Sequence, residues 1–232
     1  MGDSTNFLYP FLEAPSVSTA EDATPLLTDL AASARAKAEE SAALQVASLL
    51  KMSDQIEAAG AQMAERFVSG GRMYTFGNGG SSTDASTLAT LFARPAHGRP
   101  LPGWCLAGDQ AVVTALGNDV GFELVFSRQI IAHSRSDDIA VALSTSGNSD
   151  DLMRGLAEAK KRGLMTIGFA GYDGGQMATS KDVDFCFVVD SQSIHRIQES
   201  QALIGYRLWS VTQEATARLR EQNRSARAET QQ

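Results

Sequence analysis

The rhythm of apolar and polar positions changes near residue 70. From Pro25 to about Phe67 the chain is Ala-rich with apolar residues at helical spacing, and Thr24 ahead of Pro25 is a helix start with proline at the first position. The spacing predicts two helices, broken near Met52 and Ser53. From residue 72 onward short apolar runs alternate with helical segments. Runs at Arg72–Phe76, Trp104–Ala107, Ile139–Leu143, Leu164–Phe169 and Phe185–Val189 predict strands. Helices are predicted at 83–93, 110–116, 121–134, 150–162 and 174–180, with a long one at 195–217. Alternating strands and helices, with strands apolar on both faces, predict an α/β fold: a parallel sheet covered by helices. No proline falls after Pro102 to interrupt the later units.

Residues 1–24 hold two of the six prolines and the Ser/Thr-rich stretch PSVSTAEDAT, so they read as an extended arm. Within it Phe7, Leu8, Tyr9, Phe11 and Leu12 are apolar enough to need a cover. The stretch Phe7–Leu12 either packs on this protein or its sister subunits, or docks a protein partner. Residues 25–217 are expected to form one domain and 218–232 a polar tail.

Composition removes several classes of function. Hydrophobic residues make 43% of the 232 and charged ones 20%, with no apolar run approaching the ~20 residues of a membrane helix. The net charge of -7 is uneven, since residues 1–30 contain Asp3, Glu13, Glu21, Asp22 and Asp29 without a Lys or Arg. In the tail, Arg218, Arg220, Arg224 and Arg227 outnumber Glu221 and Glu229. No basic patch of the kind that neutralises nucleic-acid phosphates is visible, so direct nucleic-acid binding is not expected. Cys105 and Cys186 sit in apolar runs and read as buried thiols, with no C-x-x-C or Cys/His cluster for zinc. The amino terminus lacks a signal-peptide pattern, which makes the cytoplasm the expected location.

Two strand-to-helix junctions carry the chemistry. The first, Phe76-Gly77-Asn78-Gly79-Gly80-Ser81-Ser82-Thr83-Asp84, offers close backbone approach and hydroxyl donors. The second, Leu143-Ser144-Thr145-Ser146-Gly147-Asn148-Ser149-Asp150, sets four hydroxyls around one glycine, a phosphate cradle of donors rather than a charge clamp. In a parallel sheet of this kind, ligands bind beyond the carboxyl ends of the strands, at helix N-termini. Taken singly each loop is also an ordinary turn and helix cap; together at two ends of one sheet they predict a ligand site.

The segments FGNGGSSTDA, ALGNDVGFELVFSRQI, LSTSGNSDDLMRGLAEAKKRGLMTIGFAGYDGGQMA and RIQESQ together resemble the sugar isomerase (SIS) domain proteins of the sedoheptulose-7-phosphate isomerase type, over about residues 35–217. The resemblance implies a three-layer sandwich with a five-stranded parallel flavodoxin-like sheet, N-terminal helices, a homotetramer with sites at subunit interfaces, and a bound sugar phosphate such as a heptose 7-phosphate. It places the phosphate against Ser144, Thr145, Ser146 and Ser149, with Asn78, Gly79, Ser81 and Asp119 on the sugar side.

The resemblance fails at the reacting carbons. Moving a proton between neighbouring carbons needs a base, and the oxygen must be polarised as the enediol forms. The isomerases use a His and a Glu four apart on the helix after the first glycine loop, with a Gln and a His on the last helix, a set that binds zinc in some members. By alignment the positions here are Thr87, Leu91, Gln198 and Tyr206, so only the Gln is retained. No zinc or other cofactor is therefore expected. A relocated acid/base pair drawn from His195, Glu199 and Asp119 is one rescue. For these the plainer roles are a polar residue near the last helix start, a helix-terminus or interface carboxylate, and a loop polar residue. Asp84 reads as a helix cap, and His97 and His133 as surface residues. Two functions follow: a non-catalytic sugar-phosphate sensor or adaptor, or an active ketose/aldose phosphate isomerase with relocated groups. The initiator-associating protein of this family, a tetrameric scaffold, is the precedent for the first.

Overall fold

A computed structural model describes residues 24–230, with side chains through Ala226; the arm and its Phe7–Leu12 stretch lie outside the described residues. The order is α1 (Thr24–Lys51), α2 (Ser53–Val68), β1 (Met73–Gly77), α3 (Gly80–Ala93), β2 (Gly103–Cys105) and α4 (Gln110–Asp119). A single 3-10 turn (Phe122–Leu124) precedes α5 (Val125–His133), β3 (Ile139–Leu143), α6 (Asp150–Lys161), β4 (Met165–Gly171), α7 (Gly175–Thr179), β5 (Phe185–Val189) and α8 (Ile194–Thr230).

All four strand pairings are parallel, in the order β2-β1-β3-β4-β5. The register pairs Gly77 with Leu143, so β1 and β3 end level at the sheet centre. From β1 the chain moves outward to β2 and then returns to the other side of β1 for β3. That reversal makes the β1/β3 carboxyl edge the topological switch point, where an open parallel sheet forms its crevice.

Strand residues alternate between two buried layers, as the period-2 geometry of a strand requires. Met73, Ile139, Val141, Leu143, Ile167, Phe169 and Phe187 point to one face, where Ile56, Met63 and Phe67 of α2, Leu88 and Phe92 of α3, and Ile204 and Leu208 of α8 cover them. Tyr74, Phe76, Ala140, Ala142 and Ala170 point to the other, against Val125, Phe126 and Ile130 of α5, Leu152 and Leu156 of α6, and Met177 of α7. The result is helices on both sides of a five-stranded parallel sheet, with further helices at the amino terminus.

The chain divides into two compact units, Met1–Glu40 and Ser41–Gln232, a boundary that falls inside α1. In the first unit Leu26, Leu27 and Leu30 are exposed. In the second, Ser41 at the start of the α1 remainder donates to a Glu199 carboxylate oxygen on α8.

Three readings of the sequence change. The last helix does not stop at 217 but runs to Thr230, because residues 218–230 contain no Gly or Pro and are rich in Arg, Glu, Gln and Ala, which favour helix without help from apolar periodicity. Asn118 and Asp119 close α4 instead of lying in a loop. Cys186 is only half-buried, because β5 is an edge strand, whereas Cys105 is buried. Burial still pushes the Cys186 thiol up to about 11. Among the described residues no helix is long and apolar enough to cross a membrane.

Candidate functional site

Both glycine loops open from the switch point, the first from β1 and the second from β3. Asn78 binds the base of α6, its Nδ2 donating to both carboxylate oxygens of Asp151 at 2.8 and 3.1 Å. Asp151 is 5% exposed, so this pair fixes the two loops relative to each other from within. Ser81, in the first turn of α3, is also buried.

The second loop spends half of its hydroxyls on its own shape. Ser144 Oγ accepts from Gly147 N at 3.0 Å, and Ser146 Oγ from Asn148 N at 3.3 Å. The hydroxyls of Thr145 and Ser149, both half-buried, make no hydrogen bond among the described residues. Ser149 holds the N-cap position of α6 without capping it through its side chain. Two uncommitted hydroxyls beside the free N–H groups of a twelve-residue helix form a donor-rich anion cradle. Gly147 is required here: its φ is +67°, and a Cβ would stand 2.2 Å from Gly174 O. The turn after β4 thereby braces the cradle, helped by Gln176 N donating to Asn148 Oδ1 at 2.9 Å.

The amino-terminal part of α8 closes the site. Gln201 Nε2 donates to Ser144 O at 2.8 Å, and Gln198 Nε2 donates to Asp84 Oδ2 at 3.2 Å. Gln198 also lies against Gly80, where a Cβ would sit 2.5 Å from Nε2, so the glycine lets the amide reach the first loop.

Asp84 differs from its expected role. Because α3 starts at Gly80, Asp84 falls in the second turn and caps nothing. It is half-buried between α3 and α8, and burial raises its pKa, an effect only partly offset by the bond from Gln198. No local sequence signal marks this, since the partner is 114 residues away.

Other candidates are less engaged. Glu199 is exposed and takes the Ser41 hydroxyl, which makes it a tie between α8 and α1. His195 is exposed in the first turn of α8 and forms no hydrogen bond among the described residues. Asp119 is exposed at the last residue of α4 and accepts from Asn118 Nδ2 at 2.7 Å. A carboxylate at the carbonyl end of a helix opposes the helix dipole, so its place there has no capping rationale. No bond joins Asp119 to either glycine loop among the described residues.

Thr87, Leu91 and Tyr206, where the resemblance leads one to expect catalytic groups, have ordinary structural duties. Thr87 Oγ1 donates to Thr83 O at 2.9 Å within its own helix, and Leu91 packs on the sheet core. Tyr206 is 48% exposed with its ring 5.3 Å from that of Trp209. An alcohol, an alkyl group, an amide and a phenol do not make a zinc site. Among the described residues no group of three or more His, Cys, Asp or Glu side chains is placed to hold a metal ion. His97 stacks edge-on against Trp209 at 4.9 Å, and His133 lies against Trp104 at 5.0 Å.

The chain matches the SIS domain family over residues 37–171. It is 38% identical over 177 residues to the phosphoheptose isomerase of Aquifex aeolicus, covering 75% of this chain and 92% of that one. It is 41% identical over 161 residues to the phosphoheptose isomerase of Rhodospirillum rubrum, covering 68% and 84%. Its fold is similar to that of the phosphoheptose isomerase from Neisseria gonorrhoeae, with a TM-score of 0.73 at 29% identity over 79% of this chain and 98% of that chain.

Proposed function

Because this chain belongs to the SIS domain family, in its phosphoheptose isomerase group, we propose that it is a sugar-phosphate-binding protein that does not isomerise its ligand and acts as a sensor or adaptor. The observation that carries the reading is the contrast at one site. The Ser144–Ser149 cradle has two uncommitted hydroxyls, while Thr87, Leu91 and Tyr206 are engaged in helix bonding and packing.

In this reading the phosphate of a heptose 7-phosphate accepts from Thr145, Ser146 and Ser149 and from N–H groups at the start of α6. Ser144 shapes the loop. Asn78, Gly79, Ser81, Asp119 and Gln198 line the sugar side. The isomerase step fails for want of a base and an electrophile: leucine takes no proton and offers no donor. Loss of a general base typically costs about 100- to 10,000-fold in rate.

One observation favours a second reading, an active isomerase with relocated groups. Asp84 is a half-buried carboxyl with a raised pKa, in contact with the retained Gln198. Such a carboxyl, held between α3 and α8 against Gln198, is a candidate to exchange a proton with a bound sugar.

The cradle is tested by replacing Ser146 with Glu and titrating sedoheptulose 7-phosphate calorimetrically. The wild-type protein is expected to bind and the variant to lose at least about 100-fold in affinity through like-charge repulsion. Undiminished binding would place the phosphate elsewhere. We further take the protein to be a cytoplasmic homotetramer, a reading supported by the exposed Leu26, Leu27, Leu30, Val46 and Leu50 along α1. Light scattering at the monomer mass would contradict it.

A further inference from the structure

The two amides beside the first glycine loop are each held by a carboxyl group. Asn78 opens the loop and is tied to the buried Asp151, while Gln198 of α8 lies against Gly80 and donates to Asp84. A carboxylate only accepts hydrogen bonds, so each amide turns its NH2 group toward the acid and its carbonyl oxygen away. Reversing either amide would set oxygen against oxygen. The orientation of an amide, which shape alone leaves open, is thereby fixed by charge at both positions.

The carbonyl ends are uncommitted. Asn78 Oδ1 and Gln198 Oε1, on half-buried residues, accept no hydrogen bond among the described residues. Neither oxygen is sealed from solvent, unlike the unpartnered Oε1 of Gln201, which is buried. The amide of Asn148 in the second loop differs: it donates to Ser146 O at 3.0 Å and accepts from Gln176 N at 2.9 Å, so both of its ends serve the fold. Gly79, between Asn78 and the Gly80 that Gln198 touches, is exposed. A Cβ on Gly79 would meet no atom within 4 Å, so the backbone there leaves room for a ligand.

The two loops therefore have opposite polarity. The uncommitted groups of the second, the Thr145 and Ser149 hydroxyls and the N–H groups that open α6, are donors suited to a phosphate. The uncommitted amide oxygens beside the first are acceptors, and an acceptor needs a ligand group that carries a hydrogen. A sugar hydroxyl carries one, whereas a keto or aldehyde oxygen does not. An amide oxygen facing a carbonyl oxygen leaves both unpaired, which costs more than a hydrogen bond gains.

We propose that Asp84 and Asp151 are positioning residues that set Gln198 and Asn78 as a pair of hydrogen-bond acceptors, so that the site selects phosphates whose carbons bear hydroxyls, as in an alditol or a ring-closed sugar, over the open carbonyl form. The proposal rests on the phosphate cradle of the second loop and adds what the sugar side reads. It also bears on turnover, because isomerisation proceeds through the open carbonyl and needs a donor at its oxygen. Asp84 makes no bond to Ser144–Ser149 among the described residues, so its replacement frees the Gln198 amide to turn without disturbing the cradle.

The experiment titrates ribitol 5-phosphate and ribulose 5-phosphate calorimetrically into the full-length protein. The two share chain length and phosphate and differ at C2, a hydroxyl in the first and a carbonyl in the second, which stays open because its terminal oxygen is esterified. The wild-type protein is expected to bind ribitol 5-phosphate about tenfold more tightly. Asp84→Leu, and independently Gln198→Met, are expected to shrink that preference to about twofold or less, while ribitol 5-phosphate still binds. Asp84→Asn, which keeps an oxygen for the amide hydrogens, is expected to retain more of the preference than Asp84→Leu, a rescue that a merely structural role would not give. Equal binding of the two phosphates by the wild-type protein, or a preference unchanged in both Asp84→Leu and Gln198→Met, would overturn the proposal and leave the cradle standing. Binding of neither phosphate would overturn the cradle and the proposal together.

Discussion

In the proposed reading the two halves of the site differ. In that reading the phosphate-side donors are the hydroxyls of one six-residue loop, Ser144–Ser149, and the N–H groups at the start of α6, the loop being braced by Gly174 and Gln176 and positioned by the β1/β3 switch point. On the side proposed for the reacting carbons, α3 and α8 carry Thr87, Leu91 and Tyr206, whose side chains are occupied with bonding or packing. Holding a phosphate depends on local loop geometry, whereas proton transfer depends on side chains aligned across helices. The proposal of ligand binding without turnover rests on that difference.

The contrast can be sharpened by installing the groups expected of an isomerase. Installing Thr87→His, Leu91→Glu and Tyr206→His together is expected to raise turnover of sedoheptulose 7-phosphate by about 100-fold or more, the scale of a recovered general base. No gain, in a variant that still binds the sugar phosphate, would mean that the reacting side differs by more than these three residues.

The phosphate side can be broken on its own. Gly147→Val puts a side chain on a residue with φ +67° and against Gly174 O, which forces the loop away from its brace. Sugar-phosphate affinity is expected to fall about tenfold or more, with a lowered melting temperature. Unchanged binding would show that the loop conformation is not what holds the ligand.

A smaller effect distinguishes two carboxylates. Asp184 is partly buried, which by itself raises its pKa, but the Lys160 ammonium and the Thr166 amide and hydroxyl outweigh burial and lower it. Its contribution to stability is present above the unfolded-state pKa and is lost as the pH falls through the folded one. Asp84 is shifted the other way, by burial that Gln198 only partly offsets. Its favourable contribution is present below the unfolded-state pKa and is lost as the pH rises through the folded value. Asp84→Asn is therefore expected to melt at the wild-type temperature or higher at pH 7, with the advantage shrinking toward pH 4. A variant less stable at pH 7 than at pH 4, relative to wild type, would show that the Asp84 carboxylate is stabilised by a partner it lacks here.

Much of the fold was legible because the strands are short apolar runs and each strand is followed by a helix. The Ser144–Ser149 loop was legible for the same reason of locality, its donors being consecutive in the chain. Asp84 was not, because the Gln198 amide that meets it lies 114 residues away on another helix. The extension of α8 to Thr230 was not legible either, since amphipathic spacing vanishes after residue 217 while helix propensity persists. Asp119 falls between these cases: Asn118-Asp119 stands out in the sequence, yet its helix-terminal place brings it no bond to the loops.

The central claim, ligand binding without turnover, is tested most directly by incubating the purified protein with sedoheptulose 7-phosphate at a concentration that saturates it and following the aldose product by NMR. The account predicts saturable binding with a turnover number at least about 100-fold below the ordinary range of about 1 to 1,000 per second. Turnover within that range would contradict it and move the chemistry to Asp84 or another group on the sugar side.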